Sequence, residues 1–103
     1  MQVSWIDVAV EADARQPGGL EVEAAGMALL LHLIDGNVFA MAETCPHHAA
    51  WLSQGRVGGG RVFCPRHGGE FDIATGQRIA GPYCADLPVY PARIVNGRIE
   101  VAL

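Results

Sequence analysis

Two short stretches decide how this chain folds: Cys45-Pro46-His47 and, after the 16 residues from His48 to Phe63, Cys64-Pro65-Arg66-His67-Gly68-Gly69. Each sets one thiol beside one imidazole. A Cys-x-His or Cys-x-x-His loop aims its sulfur and nitrogen to the same side, and the proline after each cysteine stiffens the loop by fixing φ and removing a donor. Together the loops offer four metal ligands: Cys45, His47, Cys64 and His67. Gly68 and Gly69 let backbone N–H groups approach an anionic sulfur with no Cβ in the way, and such donors tune a metal centre.

Outward from these motifs, the stretch 43–82 differs from both flanks. It holds three of the four histidines, its two cysteines are the motif pair, and Gly55 to Gly60 is glycine-rich. The flanks carry a period of two, the signature of strands with one buried face. Ile6, Val8 and Val10 alternate with polar or small residues, as do Leu20, Val22 and Ala24 with Glu21 and Glu23. Ala28 to Ile34 and Val38 to Met41 flank Asp35-Gly36-Asn37, and Leu87 to Val95 and Arg98 to Leu103 flank Asn96-Gly97, so two hairpins are expected. Pro88 and Pro91 limit the strand that contains them to interrupted or edge pairing. Glu11 to Arg15 reads as a loop, with at most one helical turn before Pro17-Gly18-Gly19.

The chain has 103 residues, which allows one small domain, 1–103, with 43–82 as an insertion in it. Half of the residues are hydrophobic and 17% are charged, a globular composition. All seven basic residues are arginine against eleven acidic ones, for a formal charge of -4, which argues against a nucleic-acid or anionic-membrane surface. Ala24 to Ile34, interrupted by His32, is far shorter than the ~20 residues that span a bilayer. No basic segment followed by an apolar run opens the sequence, so a cytoplasmic protein is expected. Three cysteines make a poor disulfide framework and fit ligands or free thiols in a reducing compartment.

The C-P-H and C-P-R-H-G-G motifs, with Phe71-Asp72, Thr75-Gly76 and Gly81-Pro82 after them, closely resemble a Rieske iron–sulfur domain. The flanks share the resemblance: the Trp5 start, the Asp35-Gly36 hairpin leading to Glu43-Thr44-Cys45, and the closing strands from Leu87 to Val101. The resemblance implies an all-β fold, an antiparallel β-sandwich with a small cluster-binding subdomain inserted at about 43–82. It also implies one 2Fe-2S cluster in which two histidines replace two cysteines on one iron. Carried over, Cys45 and Cys64 hold the inner iron, and His47 and His67 the outer, solvent-nearer one.

A structural zinc site accepts the same ligand types. Its usual spacings pair Cys with Cys and His with His, whereas each motif here is mixed. Within the Rieske family the respiratory type joins its loops by a disulfide at positions occupied here by Ala50 and Arg66. That type also places Ser and Tyr where this chain has Gly69 and Phe71, so fewer hydrogen bonds reach the cluster. A potential near the lower end of the Rieske range, ~-150 mV, is expected. These departures resemble the soluble ferredoxins of bacterial aromatic-ring oxygenase systems.

The resemblance implies a role in electron transport and not an enzyme: single electrons pass from a flavin-containing NAD(P)H ferredoxin reductase to a terminal ring-hydroxylating oxygenase in aromatic hydrocarbon catabolism. A monomer that docks transiently is expected. A Rieske small subunit of another reductase, such as nitrite reductase, is the alternative. No G-x-G-x-x-G nucleotide motif or mononuclear iron triad accompanies the cluster motifs. His48 reads as a solvated neighbour of His47, His32 as a packed or surface residue, Cys84 as a small, partly buried thiol, and Trp51 and Leu52 as packing. Arg56, Arg61 and Arg66 concentrate basic charge near the motifs, and that charge either is merely solvated or orients docking.

Overall fold

Alternating runs become hairpins where the chain reverses in two residues. In the computed structural model, which describes residues 4–16, 18–43, 52, 55–65, 69–81 and 85–103, strands β2 (Leu20–Ala24) and β3 (Met27–Ile34) pair antiparallel across Ala25-Gly26. β3 pairs in turn with β4 (Asn37–Ala42) across Asp35-Gly36. Both central residues of each turn have positive φ, 52° and 76° in the first, 51° and 81° in the second, as a right-twisted two-residue hairpin requires. The Asp35-Gly36 reversal matches the sequence reading. The Ala25-Gly26 hairpin does not announce itself, because alanine rarely adopts positive φ, and the pairing of the flanking strands holds it there.

The C-terminal hairpin forms as expected, β10 (Ala92–Val95) against β11 (Arg98–Ala102) across Asn96-Gly97, with φ of 50° and 76°. Strand β1 (Trp5–Val10) pairs along the other side of β11, with a bulge between Asp7 and Ala9. Arg98 fastens the β1 edge by a bidentate contact to Asp7, Nε to Oδ2 at 2.9 Å and Nη2 to Oδ1 at 2.8 Å. That hydrogen bond holds the Asp7 carboxyl below its usual pKa. Between β1 and β2, Glu11–Ala14 is a 3-10 turn where a loop was expected. The fully buried Ala14 explains it, since the turn lays that methyl into the core.

Proline shapes the remaining edge. Strand β9 (Val89–Tyr90) pairs with Ala40 and Met41 of β4, Pro91 interrupts, and the chain continues as β10 in the other sheet. The result is two flanking sheets, ordered β1-β11-β10 and β2-β3-β4-β9, and a third, β5-β6-β7-β8. The third comprises β5 (Val57–Gly58), β6 (Arg61–Phe63), β7 (Glu70–Asp72) and β8 (Arg78–Ala80).

Strand β3, in the middle of the β2-β3-β4-β9 sheet, is covered on both faces, which is why Leu29, Leu30, Leu31 and His32 are consecutive buried residues, whereas Glu21 and Glu23 of β2 are exposed. Leu29, Leu31, Val38 and Ala40 pack against Ile99 and Val101. Leu30 and Met41, on the opposite face, pack against Leu52, Val62, Cys64, Phe71, Ile73 and Leu87. Fully burying a leucine contributes about 2 kcal/mol, so β3 alone anchors both cores. Among the described residues the fold is all-β and antiparallel, with no α-helix, and no helix is long and apolar enough to cross a membrane.

Candidate metal centre

The second motif begins where β6 ends. Cys64 follows Phe63, and its N–H donates to the Gly69 carbonyl at 2.7 Å, just before β7 begins at Glu70. Cys64 and Gly69, the first and last residues of the second motif, are thus joined by one short backbone hydrogen bond. The Cys64 side chain is buried, with 2% of its surface exposed, and forms no disulfide.

The first motif springs from the end of β4. The Ala42 N–H donates to the Pro88 carbonyl at 3.0 Å, and the Glu43 N–H to the Ala28 carbonyl at 3.2 Å, which fixes where the strand stops. On the return, the Leu52 N–H donates to the Glu43 carbonyl at 2.7 Å. Residues 44–51, which include Cys45, His47, His48 and Trp51, lie outside the described residues, as do Arg66, His67 and Cys84. The structure does describe the feet of both loops, and it seats Leu52 and Cys64 in the same apolar cluster.

A third segment buttresses the pair. Asp72 Oδ1 accepts from the N–H groups of Ala74, at 2.8 Å, and Thr75, at 3.1 Å, which builds a tight turn after β7. Thr75 Oγ1 accepts from the Gln77 N–H at 3.2 Å, and the Leu87 N–H donates to the Gly76 carbonyl at 2.8 Å. Gly76 has a φ of 76°, and any Cβ there would run into the Leu87 carbonyl. Phe71-Asp72 and Thr75-Gly76, part of the sequence motif, therefore serve as scaffold: Phe71 fills the core beneath Cys64 while Asp72 and Gly76 shape the turn. Gly55 has a similar duty, since a Cβ on it would strike the Phe63 carbonyl one residue before Cys64.

The environment of Cys64 is apolar, and a thiolate buried there needs a cation or hydrogen bonds to offset its desolvation. A metal supplies that compensation and takes the thiolate form. Of the four proposed ligands only Cys64 is described, and among the described residues no three His, Cys, Asp or Glu side chains gather as a metal site. The buried unbridged thiol at the mouth of a base-closed loop fits a metal–sulfur centre.

Two titratable groups near this core were not singled out as buried by the sequence. Glu43 is 1% exposed at the foot of the first loop. His32 is 3% exposed, its Nε2 has no hydrogen-bond partner, and burial lowers its pKa to about 4. It is covered by Gly19, where an added Cβ would lie 2.9 Å from the His32 Cε1. On the solvent side of β6, the Arg56 guanidinium lies 5.0 Å from the Phe63 ring centroid, and Arg61 pairs with Glu70 at 3.2 Å.

Residues 4–91 match the family described as Rieske [2Fe-2S] domain. The ferredoxin component of the naphthalene 1,2-dioxygenase system of Pseudomonas putida is 32% identical over 103 residues, covering 100% of this chain and 99% of that protein. Among solved structures, the Sphingomonas yanoikuyae B1 ferredoxin superposes with a TM-score of 0.89 at 32% identity, covering 97% of this chain and 99% of that one. The ferredoxin in the complex of reduced oxygenase and oxidized ferredoxin of carbazole 1,9a-dioxygenase gives 0.86 at 29% identity, covering 95% and 92%. A Mycobacterium tuberculosis protein assigned as the small subunit of an NADH-dependent nitrite reductase gives 0.86 at 30% identity, covering 100% and 97%. With the closed loops, the buried thiol and this end-to-end likeness, the chain belongs to the Rieske 2Fe-2S domain family.

Proposed function

We propose that this chain is the ferredoxin of an aromatic-ring-hydroxylating oxygenase system, taking single electrons from a flavin-containing NAD(P)H reductase and delivering them to a terminal oxygenase. The likeness along the whole chain to the naphthalene 1,2-dioxygenase ferredoxin component carries this reading. A Rieske 2Fe-2S cluster stores and releases one electron and makes no bond in an organic substrate. The protein's part is to hold and wire that group. Cys45 and Cys64 would hold the inner iron, His47 and His67 the outer one, all four within residues 43–82 of a single domain, 1–103. Leu52, Val62 and Phe71, buried in the same apolar cluster as Cys64, would keep water from that ligand. The carrier is read as cytoplasmic, with Cys64 unbridged as a reducing compartment would leave it, and as a monomer that meets its partners transiently.

Reconstitution tests the reading. The purified holoprotein is expected to be red-brown, with about two irons and two labile sulfides. It should carry electrons from a flavin reductase to at least one terminal oxygenase of a panel drawn from naphthalene, carbazole and anthranilate dioxygenase systems. Failure with every member overturns it. The second reading, a reductase small subunit, is favoured by the likeness to the M. tuberculosis protein, and it predicts a stable complex that co-purifies with a larger subunit. A colourless protein with one zinc would overturn both.

A further inference from the structure

The ladder of β5 and β6 pairs Val57 with Val62 and Gly58 with Arg61. The next pair outward is Arg56 with Phe63, and the Phe63 N–H donates to the Arg56 carbonyl at 2.9 Å. Because side chains alternate along a strand, Val57 and Val62 turn into the core while Arg56 and Phe63 share the outer face. Arg56 is exposed, and its guanidinium rests 5.0 Å from the ring centroid of the residue that precedes Cys64. A stacked guanidinium is held without being consumed, since its N–H donors still point to solvent.

Among the described residues, Arg15, Arg61, Arg93 and Arg98 each pair with a carboxylate, whereas Arg56 makes no such pair. Three carboxylates on or bonded to the β5-β6-β7-β8 sheet are already engaged: Glu70 pairs with Arg61, Asp72 accepts from Ala74 and Thr75, and Asp86 accepts from the Arg78 N–H at 2.9 Å. By sequence, Arg56, Arg61, Arg66 and Arg78 balance Glu43, Glu70, Asp72 and Asp86, so the whole formal charge of -4 rests on the rest of the chain. An acidic protein is repelled by that remainder and admitted where the second cluster loop begins.

From this we infer that Arg56, braced on Phe63, is the docking anchor for a surface carboxylate of the terminal oxygenase. The inference rests on the reading of the chain as an oxygenase ferredoxin. In the encounter one electron leaves this chain and one enters the oxygenase, so Arg56 sets the rate of productive docking and leaves the driving force alone.

The test uses the holoprotein, the panel oxygenase that the wild type reduces fastest, and the reductase of the same system. Second-order rate constants are measured by stopped flow at low and high ionic strength for the wild type, Arg56→Gln, Arg56→Glu and, as a control on the far side, Arg15→Gln. Arg56→Gln is expected to slow reduction of the oxygenase about fivefold at low salt and Arg56→Glu about twentyfold, both deficits shrinking to within about twofold at 0.5 M salt. Reduction by the reductase, the midpoint potential, the visible spectrum and the Arg15→Gln rates are expected to stay unchanged. Unaltered oxygenase rates in the Arg56 variants overturn the anchor, as does an equal loss with the reductase, which would mean one shared face. A shifted potential also overturns it, because Arg56 would then act on the cluster's field. A wild type that reduces no oxygenase overturns the functional reading itself, and the anchor falls with it.

Discussion

The Cys64 N–H donates to the Gly69 carbonyl at 2.7 Å, so the loop that carries the second motif is closed by a hydrogen bond from the proposed ligand residue itself. The first loop is closed in the same way, by the Leu52 N–H on the Glu43 carbonyl at 2.7 Å. Strand pairing on one side and the shared core of Leu52 and Cys64 on the other fix both feet. Fixed feet reduce the conformational entropy that ordering the ligands costs.

Cys64→Ser keeps the size and the backbone contact of that residue but removes the soft thiolate. The variant is expected to purify colourless, with iron and labile sulfide near zero, and Cys45→Ser likewise. Cys84→Ser is expected to retain the visible spectrum and iron content of the wild type. Iron and sulfide assays on the purified proteins check this, and a cluster lost in Cys84→Ser would contradict its place outside the ligand set.

Gly76→Ala forces a Cβ toward the Leu87 carbonyl at a residue whose φ is 76°. Relief requires the turn after Asp72 to open, and with it the Leu87 N–H bond to the Gly76 carbonyl. A loss of about 2–4 kcal/mol is expected, which for a domain of this size lowers Tm by about 10–20 °C. Thermal melts followed by far-UV circular dichroism measure it. Gly18→Ala, where a Cβ meets nothing within 4 Å, is the matched control and is expected to change Tm by a few degrees at most.

Much of the architecture was legible in the sequence because local chemistry and tertiary pairing agree. Asn96-Gly97 and Asp35-Gly36 are residues that take positive φ readily, and they sit between runs of matching period. Pro91 marked the break at which the chain leaves one sheet for the other. The Ala25-Gly26 turn was illegible because only the pairing of β2 with β3 stabilises alanine at a φ of 52°. The 3-10 turn at Glu11–Ala14 was legible only as the one helical turn that the sequence allowed within an expected loop, since the burial of one alanine methyl has no periodic signature. At the site, the spacing and the family resemblance proposed four ligands; of these only Cys64 is among the described residues, where it is buried and unbridged. The sequence left His32 between packed and surface and did not mark Glu43 as buried, because a lone charged or polar residue in or beside a strand does not reveal whether both faces of that strand are covered.

His32 gives that burial a measurable consequence. Desolvation lowers its pKa from 6.5 to about 4, so the folded protein keeps it neutral at pH values where the unfolded chain would be protonated. A base with a depressed folded-state pKa makes the unfolded state bind more protons between those values. Stability is therefore full above pH 6.5, falls as pH drops, and stops falling below about 4, with a total loss of about 3 kcal/mol. His32→Leu removes this term. Between pH 7.5 and 5, the wild type is expected to lose about 2 kcal/mol more than the variant in denaturant titrations. Equal losses in the two proteins would show that His32 does not titrate between folded and unfolded states.

The last expectation concerns how tightly the chain holds its electron. A reduced Rieske cluster is stabilised by hydrogen bonds to its sulfurs and thiolates, and each donor the protein adds raises the potential. At the two positions where the respiratory proteins carry hydroxyls, this chain has Gly69, with no side chain, and Phe71, whose fully buried ring lies among Val62, Ile73 and Leu87. Neither side chain can donate. Gly69 instead spends its carbonyl on the Cys64 N–H, which also occupies a backbone donor next to the thiolate. With so few donors, the midpoint is expected near -150 mV, the lower end of the Rieske range. An anaerobic redox titration of the holoprotein at neutral pH decides it: a midpoint well above zero would sink the assignment to the low-potential branch.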